Sequence, residues 1–432
     1  MKIAPKIIVL NLAFLLLYNL FSQDIIDLAK NDIKILTSSE FMGRGYLKNG
    51  HIKASEYIKE QFEKIGLEKI NNSYYQRVKF QVNLIENEPI LILNETKLLL
   101  GKEFLPFALS GSGKCKKDNK IIYVGNGLYI PDKGINDYAG KHIQNSILII
   151  DDDISYNIKK DKSISREYYS RQTRIEIAKK LNAKALIFIV PKIGYSTPYK
   201  RENIPIFDLQ SSSIPQRIKS VTYQIKTDFK KVESNNVLGL LPGTTYKDSM
   251  IIICAHYDHL GCLGDSIFFP GANDNGSGIG IMLSLARTFK SNPLKYSLLF
   301  ISFTGEDAGL CGSKYFAENP TIDLNKCKFL LNFDMVASGE DGIVAVGGAD
   351  HLYHYNLLTT INDSLQLCKL GKRKNAPNGD HWYITQKGVK AFYLYTKDGK
   401  QPYHHIDDIY DTLEWDDFYS VYELSRNFLL EL

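Results

Sequence analysis

Cysteine is scarce in this chain and carries no motif. Six residues (115, 254, 262, 311, 327 and 368) fall at irregular spacings among 432, with no CxxC pair. That argues against a cysteine metal site and against an essential disulfide framework. In an exported chain Cys254 could pair with Cys262 or Cys311, but Cys254 sits in an apolar run, where a free thiol packs as a small hydrophobe. No basic block is present either. The net charge of +5 is spread over the whole length, which gives no reason to expect a nucleic-acid partner. Internal repeats and low-complexity tracts are also missing, and beyond the amino terminus no apolar run is long enough to span a bilayer.

What is there describes a globular protein. An apolar fraction of 44% and a charged fraction of 23% exclude wholesale disorder, and the length suits one to three domains. Lys2 and Lys6 precede an apolar run from Ile7 to Phe21, followed by Ser22 and Gln23. This is the pattern of an export signal over residues 1–22, so the mature chain is expected to be periplasmic or secreted, without a membrane span. Leu20 fits the cleavage pattern imperfectly, and an uncleaved anchor is the alternative. No Cys follows the run to carry a lipid.

Residues 23–112 open with a Gly-rich loop, SSEFMGRGYLKNG, containing Arg44. Ala54, Tyr57, Ile58, Phe62 and Ile65 then fall at helical spacing, with Gly66 at the stop position. VKFQVNLI and PILILN read as strands. Ser110–Lys114, SGSGK, reads as a linker into a small inserted domain over 113–232. The insertion alternates the strands IIYV, SILIID and ALIFIV with a helix at Thr173–Leu181. Its run Asp151-Asp152-Asp153 reads as a solvated strand end rather than a cation site. Residues 233–432 resume the larger domain.

There, apolar strands end at ionisable residues. Ile251–Cys254 reads as a strand buried on both faces, and His256 and Asp258 follow it. Asp274 lies in PGANDNGSG, just before a helix over 278–290. The strand ending at Phe303 leads to Glu306 and Asp307, and the one ending at Phe333 delivers Asp334. A late loop supplies His404, His405, Asp407 and Asp408. Further strand VKAFYLY and the intervening helices imply an α/β fold: a mixed, mostly parallel central sheet flanked by helices. Open α/β sheets bind ligands at the carboxyl ends of their strands. His with carboxylates is the donor set of hydrolytic zinc sites that keep an open position, and these residues suffice for two metals bridged by a carboxylate.

NVLGLLPG, AHYDHLG, GANDNGSG, FTGEDAGLCGS, NFDMVA, NGDHWY with KGV, and YHHIDD, together with the early GRG loop, resemble in order and spacing the co-catalytic zinc exopeptidases. That family includes bacterial leucyl aminopeptidase, plasma aminopeptidases and glutamate carboxypeptidase, and its fold is phosphorylase/hydrolase-like. The insertion resembles a protease-associated domain through GKHIQNSILII and KKLNAKALIFIV. The resemblance implies peptide substrates and two Zn2+ ions per chain. His256 and Asp334 would hold one, Asp307 and His404 the other, and Asp274 would bridge them. His404 rather than His405 matches the family's spacing to Asp408. Glu306 would be the general base, and Asp258 would orient His256 by accepting its other ring N–H. His259 is expected to be structural or at the rim, with Asp380 and His381 supporting at most.

Two positions depart from the family pattern. Asp307 stands where Glu is common, one methylene shorter, and Asn273 where Asp is common. An aminopeptidase is the activity implied. A glutaminyl-cyclase chemistry and a non-catalytic receptor are alternatives on the same fold, disfavoured by the intact His256–Asp258 pair and the complete ligand set.

Overall fold

The computed structural model describes residues 24–432 apart from 197, 340 and 398–401. The expected export signal over 1–22 lies outside the described residues. Among these, no helix is long and apolar enough to cross a membrane, and all six cysteines are free thiols.

Consecutive apolar residues in the central strands serve two cores at once. Ile251, Ile253 and Ala255 belong to one buried cluster, Ile252 and Cys254 to another. Leu298 and Phe300 alternate in the same way with Leu299 and Ile301. A side-chain period of two sends neighbours to opposite faces, so a run with no polar member needs helices on both. Helices Gly50–Ile65, Gly278–Ser291 and Trp415–Glu431 cover one face, while Cys311–Glu318 and His381–Thr385 cover the other.

The sheet has eight strands, in the order Tyr75–Ile85, Thr227–Leu241, Tyr296–Phe303, Tyr246–His256, Cys327–Phe333, Ala391–Thr396, Ile343–Val346, Leu370–Arg373. The central four, Tyr296–Phe303 to Ala391–Thr396, are mutually parallel. Tyr75–Ile85 and Thr227–Leu241 join them as an antiparallel ribbon. Parallel strands end on one edge, which is why His256, Glu306 and Asp334, far apart in the chain, arrive together.

The ribbon leads into the insertion, which consists of a five-stranded sheet, a four-stranded sheet and the helix Arg171–Lys180. Hydrogen bonding draws in more chain than composition suggests. Ile90–Leu93 and Phe104–Pro106, both ahead of position 113, pair with Val221–Ile225 and Ile206–Gln210 respectively. At the other end Thr227–Leu241 is one continuous strand across 232 and 233. Ser110–Lys114 is not a linker. Ser110 is fully buried, its Oγ accepts from Ile206 N–H at 2.8 Å, and Gly113 begins a strand. The small residues there permit close approach, since a Cβ on Gly111 would lie 2.4 Å from the Glu202 carbonyl oxygen. In the acidic run, Asp152 pairs with Arg171 and Arg174.

The GRG loop meets the chain just beyond Asp258 backbone to backbone. A Cβ on Gly45 would stand 2.2 Å from Gly261 Cα. Gly45→Ala is therefore expected to destabilise the fold by about 3 kcal/mol, the upper range for overpacking, read as a lower urea midpoint.

Candidate metal centre

His256 is the last residue of its strand and is buried. Its Nδ1 lies 3.1 Å from the main-chain carbonyl oxygen of Asp258. A carbonyl only accepts, so Nδ1 carries the proton there and Nε2 faces the carboxylates. Nε2 stands 3.4 Å from Asp334 Oδ1 and 3.5 Å from Asp274 Oδ1. His404 repeats the arrangement. Its Nδ1 donates to the Tyr195 carbonyl at 2.9 Å, and its Nε2 lies 3.3 Å from Asp274 Oδ2 and 3.4 Å from Asp307 Oδ1. Asp274 thus turns one oxygen toward each imidazole. His405 faces away, beside Asp407.

The Asp258 carboxylate does not do what was expected of it. Its Oδ1 is 3.9 Å from His256 Nδ1, too far for a hydrogen bond. It accepts instead from the Tyr46 hydroxyl at 2.7 Å and from the Glu306 main-chain N–H at 3.1 Å. The tight turn at His256 offers the ring the nearer main-chain carbonyl, which leaves the side chain to anchor the loop that carries Glu306.

Asp274 is placed by its own loop. Asp408 Oδ1 and Oδ2 accept the N–H groups of Asn273 and Asp274 at 2.8 and 3.0 Å. Asn275 donates to the Phe333 carbonyl and accepts from Gly278 N–H, each at 2.9 Å. Asn273 accepts from Ala337 N–H and donates to Ser338 Oγ. An Asp at 273 has no such donor, which gives the departure at this position a structural use. Beneath the loop, the fully buried Arg44 donates to the carbonyls of Tyr257, Pro270, Gly271, Leu36 and Asp274 at 2.6–3.3 Å.

Further residues belong to the site that the sequence did not single out. Tyr393 donates to Asp334 Oδ2 at 3.1 Å. His259, expected to be structural or at the rim, is buried with Nδ1 2.8 Å from Asp307 Oδ2. A cleft of about 380 Å³ opens over Asp274, Glu306, Asp307 and Asp334, walled by Tyr393, Tyr395 and Tyr403. Glu306 keeps part of its surface in the cleft.

The electrostatics separate the two neighbouring acids. Burial pushes the Glu306 carboxyl well above the usual range; His256 opposes this, and Asp307 and Asp334 add to it. Burial acts on Asp307 too, but His259 and His404 hold it well below the usual range. Such a pair gives one group suited to proton transfer and one that stays anionic.

The donor set fits metal. His256, Asp274 and Asp307 form one group of possible ligands, and His256, Glu306 and Asp334 another. Separations of 3.3–3.5 Å between imidazole nitrogen and carboxylate oxygen are long for charge-assisted hydrogen bonds. Donor atoms about 2.0–2.1 Å from one tetrahedral metal stand roughly 3.3–3.4 Å apart. Among the described residues no Lys or Arg side chain pairs with the carboxylates of Asp274, Asp307 or Asp334, and buried carboxylates so placed call for a cation.

Asp380 and His381 lie beside this centre, fully buried, and neither ring nitrogen of His381 has a hydrogen-bond partner among the described residues. Burial presses the His381 pKa from 6.5 to about 4. Because the folded value is the lower one, this contribution to stability is complete above the unfolded pKa and is lost as pH falls toward 4. His381→Phe should flatten the decline in stability between pH 6.5 and 4 by up to about 3 kcal/mol, measured by urea unfolding at several pH values.

Residues 236–429 match the profile of peptidase family M28. Aminopeptidase YwaD of Bacillus subtilis is 34% identical over 181 residues, which are 40% of this chain and 37% of that protein. The aligned stretch thus spans little more than a third of that relative's length. Among solved structures, BSAP, a zinc aminopeptidase from Bacillus subtilis, superposes with a TM-score of 0.71 at 20% identity, covering 94% of this chain and 95% of that one. A peptidase M28 precursor from Shewanella amazonensis SB2B gives 0.72 at 16% identity, covering 95% of both chains. At these identities the likeness establishes a shared fold.

Proposed function

We propose that the chain, whose residues 236–429 match the profile of peptidase family M28, is an exported zinc-dependent aminopeptidase, releasing amino-terminal residues from peptides. The observation that carries this reading is Asp274, whose two oxygens face His256 with Asp334 on one side and His404 with Asp307 on the other. His256, Asp334 and Asp274 Oδ1 would hold one zinc ion; Asp274 Oδ2, Asp307 and His404 would hold a second. Bound zinc lowers the pKa of water and polarises a carbonyl.

The chain's own residues do the rest. Glu306, on the cleft wall, takes the proton from the attacking water and returns it to the leaving amine. Asp258 holds the Glu306 main chain by the N–H contact, so the carboxyl reaches the cleft from a fixed origin. The relatives named as aminopeptidases support the same reading. Export rests on the charged and apolar amino terminus.

Aminoacyl p-nitroanilides and their N-acetylated forms test the proposal. Hydrolysis of the free-amino substrates, abolished by a chelator and restored by zinc, is the expected result. No hydrolysis of any free-amino substrate with zinc added would sink it.

A further inference from the structure

The insertion reaches the metal centre at Tyr195. Tyr195 N–H donates to the His404 carbonyl at 2.9 Å, and the Tyr195 carbonyl accepts from His404 Nδ1 at 2.9 Å. His404 has a left-handed backbone, φ 52°, a conformation that is strained for a non-glycine residue and persists only where its surroundings hold it. The paired bonds from Tyr195 do that holding. They also fix the ring: with its proton committed to a carbonyl at Nδ1, His404 can turn only Nε2 toward Asp274 and Asp307.

Tyr195 is in turn anchored. Its buried ring stacks on Phe269, with centroids 5.1 Å apart and planes at 20°. Phe269 lies on the stretch between His256 and Asp274, and it shares one apolar core with Leu260 and Leu263 and with Ile193 and Ile204 of the insertion. Ile406, two positions beyond His404, packs against that core. The insertion is therefore wedged between the two segments that carry His256 and His404.

We propose that Tyr195 is a positioning residue for His404, and that the inserted segment thereby governs the metal position formed by Asp274, Asp307 and His404. This rests on the reading of His404 as a zinc ligand. Tyr195 bonds directly to His404 and reaches the segment after His256 through the Phe269 ring, so the His404 position should respond the more strongly when the contact is loosened.

The test is zinc titration of the metal-stripped full-length protein by calorimetry, with circular dichroism as the control for folding. Tyr195→Ala, which removes the ring stack, should weaken one zinc site about 10–100-fold, the usual effect of losing a ligand's orienting partner. The other site should stay within about two-fold. Tyr195→Phe keeps ring and main chain and should bind as the wild type does. If Tyr195→Ala fails to fold, Tyr195→Leu fills the space without the stack and carries the same expectation. Wild-type affinity at both sites in the folded variant, or equal weakening of both, would overturn the inference while leaving the proposed function intact. A wild-type protein that takes up no zinc would overturn the proposed function itself.

Discussion

Glu306→Gln is expected to lower kcat for an aminoacyl substrate by about 10²–10⁴-fold, the usual contribution of a positioned general base. The amide keeps the shape of the carboxyl but cannot accept the water's proton. The contacts of His256 and His404 with Asp274 do not run through Glu306, and its main-chain N–H, held by Asp258, is untouched by the change. KM should therefore move by no more than a few-fold and zinc content should be unchanged. Steady-state kinetics with elemental analysis on the same preparation separates this from a ligand defect, in which metal would be lost with activity. A decrease below about ten-fold in kcat would remove Glu306 from the role of base.

Arg44→Met should be the most damaging single change to the fold around the centre. The guanidinium supplies N–H groups to five main-chain carbonyls on three separate segments: the end of the helical stretch 24–36, the residue after His256, and the loop through Asp274. Methionine fills much of the volume and supplies no donor. Each buried carbonyl left unpaired costs about 1–3 kcal/mol, and partial rearrangement reduces their sum, so a total loss of about 4 kcal/mol or more is expected. The loss should appear as a lower urea midpoint and a weaker hold on zinc together, because the Asp274 loop loses its support. Lysine restores the charge but not the planar fork, and should rescue little.

These two residues also mark how far the sequence could be read. The central strands were legible because runs such as Ile251–Cys254 and Leu298–Ile301 have no polar member, and burial on both faces leaves that signature. Candidate ligands were legible because ionisable residues directly follow those runs and parallel strands end on one edge. Arg44 was visible only as a charge in a glycine-rich loop. Nothing local reveals that four of its five partners are carbonyls more than two hundred positions away. The role of Asp258 was misjudged for a related reason, since the choice between its carboxylate and its carbonyl as partner of His256 is made by backbone geometry at the turn. Ser110–Lys114 has linker composition, but its small side chains serve close packing. Tyr195 could not be read at all, because it acts through main-chain atoms that every residue type shares.

A zinc count on the purified full-length protein and on Asp274→Ala tests the central claim most directly. The account predicts two zinc ions per chain in the wild type and, after dialysis, loss from both positions in the variant, since each depends on one Asp274 oxygen. A wild-type chain that takes up no zinc, or an Asp274→Ala chain that keeps both ions, would contradict it.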